Sequence, residues 1–413
     1  MTLNNSRQLD HNSHIMTRAI SDRIRHIPLS PIRKLTPLAD EARSRGITVY
    51  HLNIGQPDIQ TPEQGLAAMR NIDRKVLEYS PSQGFLSLRR KIAEYYADFG
   101  IEYDPDEIIV TTGASEAVLF SFITCFDPGD ELITTEPTYA NYLSFAAAAG
   151  VKVVPITTSI DDGFALPPAE RFEELITERT RGILICNPNN PSGSLYSREE
   201  MKMLGDIVRR HGIFLFADEV YREFVYDGME FFSAGHLEGV DDNVVIFDSM
   251  SKRFSECGIR TGAVITRNRA VTEGFLKLAQ ARLSPPLVGQ IIAEASFSAG
   301  HAYLDPIAKE YQHRRDVLIE GLQNIPGIRV ARPQGAFYVI ASLPVENAED
   351  FCAWCLSDFS DNGETVMMAP ASGFYITPGL GPSEVRIAYV LNSDDLRRAT
   401  DIIGKALDQY NSR

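Results

Sequence analysis

Residues 247–262 read F-D-S-M-S-K-R-F-S-E-C-G-I-R-T-G, and they set one lysine, Lys252, among the hydroxyls of Ser249, Ser251 and Ser255 before closing on Arg260. A lysine in a partly buried pocket loses its proton readily and becomes a nucleophilic amine. Serine hydroxyls and a forked guanidinium suit a phosphate dianion. The chemistry on offer is therefore an amine next to a phosphate site.

Three further short stretches belong to the same chemistry. G-A-S-E-A (113–117) opens a helix, and the free backbone N–H groups of Ala114 and Ser115, with the Ser115 hydroxyl, make an anion site. N-P-N-N-P-S-G (187–193) is a rigid turn that can hold Asn190 towards a ligand. D-E-V-Y (218–221) ends an apolar run on Asp218, where an isolated carboxylate is costly to bury and needs a cationic or N–H partner. Tyr221 offers a phenol to the same space. A group with a phosphate, an aldehyde, a ring nitrogen and a phenol oxygen matches all of these, and that group is pyridoxal phosphate. Lys252 forms the Schiff base with its aldehyde, and Asp218 pairs the pyridinium.

Elements must bring these loops together. Short β-rich runs occur at 107–112, 131–135, 151–156, 182–186, 213–218, 243–248 and 262–266, with helix-like stretches between several of them. One helix starts after Ser197 with Glu200 three residues on, a capping-box pattern. The runs are apolar throughout, as expected of strands buried on both faces of a mostly parallel sheet. Ligands in such α/β sheets bind beyond the carboxyl ends of the strands, where the four stretches lie. The later part of the chain carries a long amphipathic helix at 303–325 and reads as a smaller α+β domain. The expected division is a mobile arm at 1–27, an N-terminal part of the small domain at 28–65, a large cofactor-binding domain at 66–289 and the C-terminal small domain at 290–413.

Taken in order, N-P-N-N-P-S-G, D-E-V-Y, S-M-S-K with Arg260, and E-V-R-I-A-Y resemble the class I/II aminotransferases, the aspartate aminotransferase-like enzymes of pyridoxal phosphate fold type I. The similarity runs from about residue 28 to the C-terminus. It implies a seven-stranded sheet with one antiparallel strand, and a small domain that the N-terminal segment joins. By motif it makes Lys252 the Schiff-base lysine and proton shuttle and Asp218 the partner of the ring nitrogen. Tyr221 and Asn190 contact the phenolic oxygen. Ala114, Ser115, Ser249, Ser251 and Arg260 hold the phosphate. Tyr139, in E-P-T-Y, stacks on the ring. Arg386 grips the substrate α-carboxylate, with Gly55 of N-I-G-Q-P-D lining that site. Tyr79, in E-Y-S-P-S-Q-G, reaches the phosphate of a partner subunit, so the resemblance implies a homodimer with shared active sites.

The implied activity is a ping-pong transamination between an L-amino acid and a 2-oxo acid, with aspartate and 2-oxoglutarate as the commonest pair. A second substrate carboxylate needs another cation, and Arg282 of the partner subunit is a candidate. Phe374 and Tyr375, in S-G-F-Y, can instead form an apolar wall for aromatic or aliphatic side chains. Another fold type I reaction, a carbon–sulfur β-lyase or synthase, is the alternative.

Bulk properties bound the rest. The 413 residues exceed the roughly 250–300 at which chains split into domains. A formal charge of −15 argues against a nucleic-acid surface. No apolar run approaches the roughly 18 residues of a membrane span, and the first twenty residues lack a signal-peptide core. No metal site is expected, and Cys352 and Cys355 read as small residues flanking a buried Trp354 on a helix. The odd cysteine count, five, points to a reducing cytoplasm rather than a disulfide framework. A nicotinamide enzyme is disfavoured because G-x-G-x-x-G is missing after the first strand. A regulator built on this scaffold lacks a DNA-binding module.

Overall fold

The computed structural model describes residues 20–27 and 29–413. Of the arm expected at 1–27, residues 1–19 lie outside the described residues; the remainder carries a short helix, Asp22–His26. Regular structure then runs through the helix Thr36–Ser44 into the strand β1 (Thr48–His51).

Seven strands follow: β2 (Ile108–Thr111), β3 (Glu131–Glu136), β4 (Lys152–Thr157), β5 (Thr180–Cys186), β6 (Phe214–Asp218), β7 (Val244–Ser249) and β8 (Gly262–Ile265). They form one sheet in the order β2-β8-β7-β6-β5-β3-β4. Pairing is parallel except on both sides of β8, the single reversed strand. The apolar runs have a direct cause. Leu132, Leu184, Phe216, Val245 and Phe247 enter one core, while Ile133, Ile183, Leu215, Ala217 and Ile246 enter a second core on the opposite face. Alternate residues thus serve different layers of helices, and neither face is left to water.

The covering helices are delimited by local chemistry. Arg198–His211 begins at Ser197, whose hydroxyl accepts from the Glu200 amide while Glu200 reaches back to the Ser197 amide. It ends at Gly212, whose φ of 62° gives the left-handed cap. Met201, Leu204, Ile207 and Val208 form its buried stripe.

After the long helix Gly300–Gln323 come β9 (Arg329–Val330), β10 (Tyr338–Ser342), β11 (Glu364–Met367), β12 (Ala369–Pro370) and β13 (Glu384–Ala388). Four of them build an antiparallel sheet, β12-β13-β10-β9. β1 pairs in parallel with β11, so the N-terminal segment is tied to the C-terminal part of the chain. Cys352 and Cys355 are buried on the helix Ala348–Ser357 beside Trp354. Among the described residues, no helix is long and apolar enough to cross a membrane.

Candidate active site

The carboxyl ends of β2, β5, β6 and β7 open on one cleft of about 730 Å³, closed on its other side by β10, β13 and the segments around Ser30 and Gly55. Of the residues singled out in the sequence, Gly55, Ala114, Ser115, Tyr139, Asn190, Asp218, Tyr221, Ser249, Ser251, Lys252, Arg260 and Arg386 all line it.

At one end the chain forms an anion-sized cradle. Gly113 has φ 70° and starts the helix Gly113–Cys125; a Cβ there would lie 2.3 Å from Arg260 Nη2. Arg260 itself sits in the left-handed region at φ 55°, with Nη1 donating to the Cys257 carbonyl at 3.0 Å. Gly262 completes the fit, since a Cβ would stand 2.8 Å from the Ala114 amide nitrogen. The helix start and the guanidinium are thus in contact, a geometry only these glycines permit. Ser249 Oγ accepts from the Ser251 amide at 3.2 Å, while Ser251 Oγ is buried with no partner among the described residues. An orphaned buried hydroxyl beside a guanidinium and a helix N-terminus calls for an anion.

The floor is set by β6 and β7. Asp218 is buried; its Oδ2 accepts from the Tyr142 hydroxyl at 2.5 Å and its Oδ1 from the Val220 amide at 3.3 Å. Burial pushes its carboxyl up to about 6, against the lowering effect of those two donors. Its neighbour Glu219 faces away, accepting from Ser233 and from the Ala234 amide at 2.8 Å, so only the first carboxylate of D-E-V-Y serves the cleft. Lys252 leaves the one-turn helix Met250–Arg253 towards the cleft, and its Nζ donates to the Gly55 carbonyl at 2.6 Å. Arg253 points the opposite way, into Asp248 at 2.9 Å and Glu223 at 3.3 Å, which pins that helix from behind.

The wall facing the floor carries Arg386 on β13. It is buried, donates to Asn190 Oδ1 at 3.0 Å and to the Asn53 carbonyl at 2.5 Å, and lies over the Tyr338 ring at 4.5 Å and the Phe374 ring at 4.9 Å. Its Nε has no partner among the described residues, and burial lowers its pKa. A buried guanidinium without a carboxylate is held for an anion that arrives from outside. Asn190 also reaches the Tyr221 hydroxyl at 3.5 Å, and the Tyr221 and Tyr338 hydroxyls are 3.0 Å apart. The Tyr139 ring stands edge-on to Tyr142, with its hydroxyl accepting from Asn141 at 2.7 Å; burial pushes that phenol up to about 12.

Some expected residues are elsewhere. Tyr79 is 76% exposed and lies outside this cleft. Arg282 is drawn into its own chain: its Nε is 3.3 Å from Glu116, and Nη2 points at the carbonyls of Ser82 and Val110 at 3.4 Å. Its Nη1 has no partner among the described residues, and it lies outside this chain's own cleft, as a residue expected to serve the partner subunit would. The apolar wall expected of Phe374 and Tyr375 is also absent. Phe374 lies beneath Arg386, and the Tyr375 hydroxyl donates to Glu384 at 2.7 Å.

Several lining residues escaped the sequence reading: Tyr338, Tyr142, Cys186, Cys257, Ser30 and Arg33. Tyr338, in G-A-F-Y, carried no local signal. Gly55 approaches so closely that a Cβ there would stand 1.8 Å from the Tyr338 hydroxyl, a contact invisible without the fold.

Comparison with known proteins agrees with this geometry. The sequence profile described as "Aminotransferase class I and II" matches residues 47–403. The chain is 31% identical over 413 residues to a "Probable aspartate/prephenate aminotransferase" of Aquifex aeolicus, covering 95% of this chain and 100% of that protein. Among solved structures it resembles an aspartate aminotransferase from Thermus thermophilus with maleate, at TM-score 0.85 and 28% identity, covering 94% of this chain and all of that one. An alanine aminotransferase from Pyrococcus furiosus matches at TM-score 0.87 and 30% identity, covering 95% of this chain and all of that one.

Proposed function

The chain belongs to the class I and II aminotransferase family and is a transaminase, and from that premise we propose that it binds pyridoxal 5′-phosphate on Lys252 and works by a ping-pong mechanism, with aspartate and 2-oxoglutarate as its substrates. The observation that carries this reading is one cleft in which the Lys252 amine, the buried Asp218 and Arg386, whose Nε has no partner among the described residues, converge on the same space.

The cofactor fits the groups present. The orphaned Ser251 hydroxyl, Ser249, Arg260 and the amides of Ala114 and Ser115 suit its phosphate. Asp218, isolated and raised by burial, gains the cation it lacks when a protonated ring nitrogen sits beside it. Tyr221 and Asn190 suit the phenolic oxygen, and Tyr139 suits the ring face. When bound, the cofactor supplies an electron sink that stabilises negative charge at the substrate's α-carbon.

The remaining work falls to side chains. Arg386 takes the α-carboxylate in a bidentate pair, desolvated and oriented by Asn190 and by the Asn53 carbonyl. That pairing fixes which α-carbon bond faces Lys252. The Lys252 amine would be the group that takes and returns the α-proton, at Nζ, with the bound cofactor supplying the electron sink. The Lys252 hydrogen bond to the Gly55 carbonyl at 2.6 Å lies at the cleft, next to where Arg386 would hold the substrate.

Tyr79 is exposed, as are Val76 at 68% and Leu77 at 65%. We infer that this apolar segment joins a homodimer in which Tyr79 of the partner subunit serves the phosphate of this cleft. The domain division at 66–289 and 290–413, and a cytoplasmic location, complete the reading.

A panel of amino acids, each added alone to holoenzyme, tests it. The donor converts the cofactor to pyridoxamine phosphate, with loss of the long-wavelength absorbance, and a 2-oxo acid restores it. Release of a fragment of the amino acid, with the cofactor unchanged, would instead favour the lyase.

A further inference from the structure

Behind the floor lies a group of buried charges that do not themselves reach the cleft. Arg253, the residue after Lys252, is 1% exposed, and Asp248 is fully buried. Arg253 Nη2 donates to both Asp248 oxygens, at 2.9 and 3.0 Å, and its Nε stands 3.3 Å from Glu223 Oε1. Its guanidinium lies 3.9 Å from the centroid of the Tyr95 ring. Tyr95 and Tyr96, on the helix Leu86–Ala97, donate to Glu223 and to Asp248. None of these residues lines the cleft.

Their places in the chain give the group a purpose. Asp248 and Arg253 bracket Ser249, Ser251 and Lys252, and Asp248 Oδ1 also accepts from the Ser249 amide at 2.7 Å. One ion pair therefore closes across the whole segment that carries the amine. Glu223 lies two residues after Tyr221, on the segment that begins at Asp218. The Arg253 fork thus joins the segment of the amine, which leaves β7, to the segment of Asp218 and Tyr221, which leaves β6. Burying so many charges is a poor way to gain stability, because well-packed apolar residues of similar volume often do as well or better. What a fork gripped by two carboxylates supplies is direction.

We propose that Arg253 is a positioning residue: clasped between Asp248 and Glu223, it fixes where the Lys252 amine stands relative to Asp218, and it acts on the cofactor only through Lys252. This rests on the pyridoxal phosphate reading of the cleft.

The test compares two measurements on cofactor-free full-length protein. The first is the rate at which pyridoxal 5′-phosphate is captured, read as the long-wavelength absorbance of its bond to Lys252. The second is the affinity for pyridoxamine 5′-phosphate, which suits the same floor without a bond to Lys252. Arg253→Lys keeps the charge and loses the fork. Glu223→Gln keeps the shape and severs the tie to the Asp218 segment, and it carries the test alone if Arg253→Lys does not fold. An amine displaced by about 1 Å predicts that each variant slows capture about tenfold or more, while pyridoxamine 5′-phosphate affinity changes less than about threefold. Because one fork makes both contacts, the double variant is expected to be slowed no more than about twofold beyond the slower single variant. Capture at the wild-type rate in folded variants, equal losses for the two cofactor forms, or single-variant effects that multiply would overturn the proposal. If wild-type protein captures the first form and both variants do so equally fast, only the role of Arg253 is wrong. If wild-type protein binds neither form, the reading of the cleft falls.

Discussion

The floor and the wall of the cleft are built on opposite plans. On the floor nearly every polar group has a partner from its own chain. Asp218 is held by Tyr142 and the Val220 amide, and the Lys252 helix is anchored through Arg253 on Asp248 and Glu223. On the wall the Arg386 guanidinium is left wanting, since its buried Nε has no partner among the described residues. On the proposed reading the floor holds one permanent guest and the wall takes ligands that come and go, so chemistry belongs to the strand ends of the large sheet and substrate binding to β13.

If the floor sets the reaction, its central residue should matter most. Lys252→Ala is expected to lower kcat by about 10⁴-fold or more while cofactor still binds non-covalently, checked by single-turnover kinetics and by cofactor content after gel filtration. A variant turning over within tenfold of wild type breaks the contrast at its root. On the wall, Arg386→Gln should cost about 10²–10³-fold in kcat/KM for every amino acid tested, since all carry the α-carboxylate. A loss confined to dicarboxylic substrates would mean that Arg386 does not hold the α-carboxylate.

A smaller effect comes from pH. Burial raises Asp218 from 3.8 to about 6, and Glu219 and Glu256 from 4.5 to about 7. Folding therefore favours their protonated forms. The stability they contribute to the apoenzyme is full below about pH 4 and is lost as pH rises through 6 to 7. A cation placed against Asp218 cancels its share of that loss. The Tm gain on adding cofactor should then be larger at pH 8 than at pH 5, by about 2 °C or more. An equal or smaller gain at pH 8 would remove Asp218 from the cofactor's side of the comparison.

The two regions also differ in how far the sequence disclosed them. Floor residues sit in short motifs at strand ends, so N-P-N-N-P-S-G, D-E-V-Y and S-M-S-K could each be read locally. The sheet was legible for a related reason, because burial on both faces writes unbroken apolar runs. Wall residues act through contacts between distant segments. Tyr338 meets Gly55, Asn53 joins Ile32 to Arg386, and no local spacing announces either contact. The ion pair of Arg282 with Glu116, on another helix, was hidden for the same reason. So was the hydrogen bond that the Tyr375 hydroxyl donates to Glu384, at the start of β13.

The central claim is covalent and can be tested directly. Purified protein, loaded with pyridoxal 5′-phosphate, reduced with borohydride and digested, should yield one phosphopyridoxyl-modified peptide, with the added mass on Lys252. Protein that takes up no label, or takes it on a different lysine, would contradict the account.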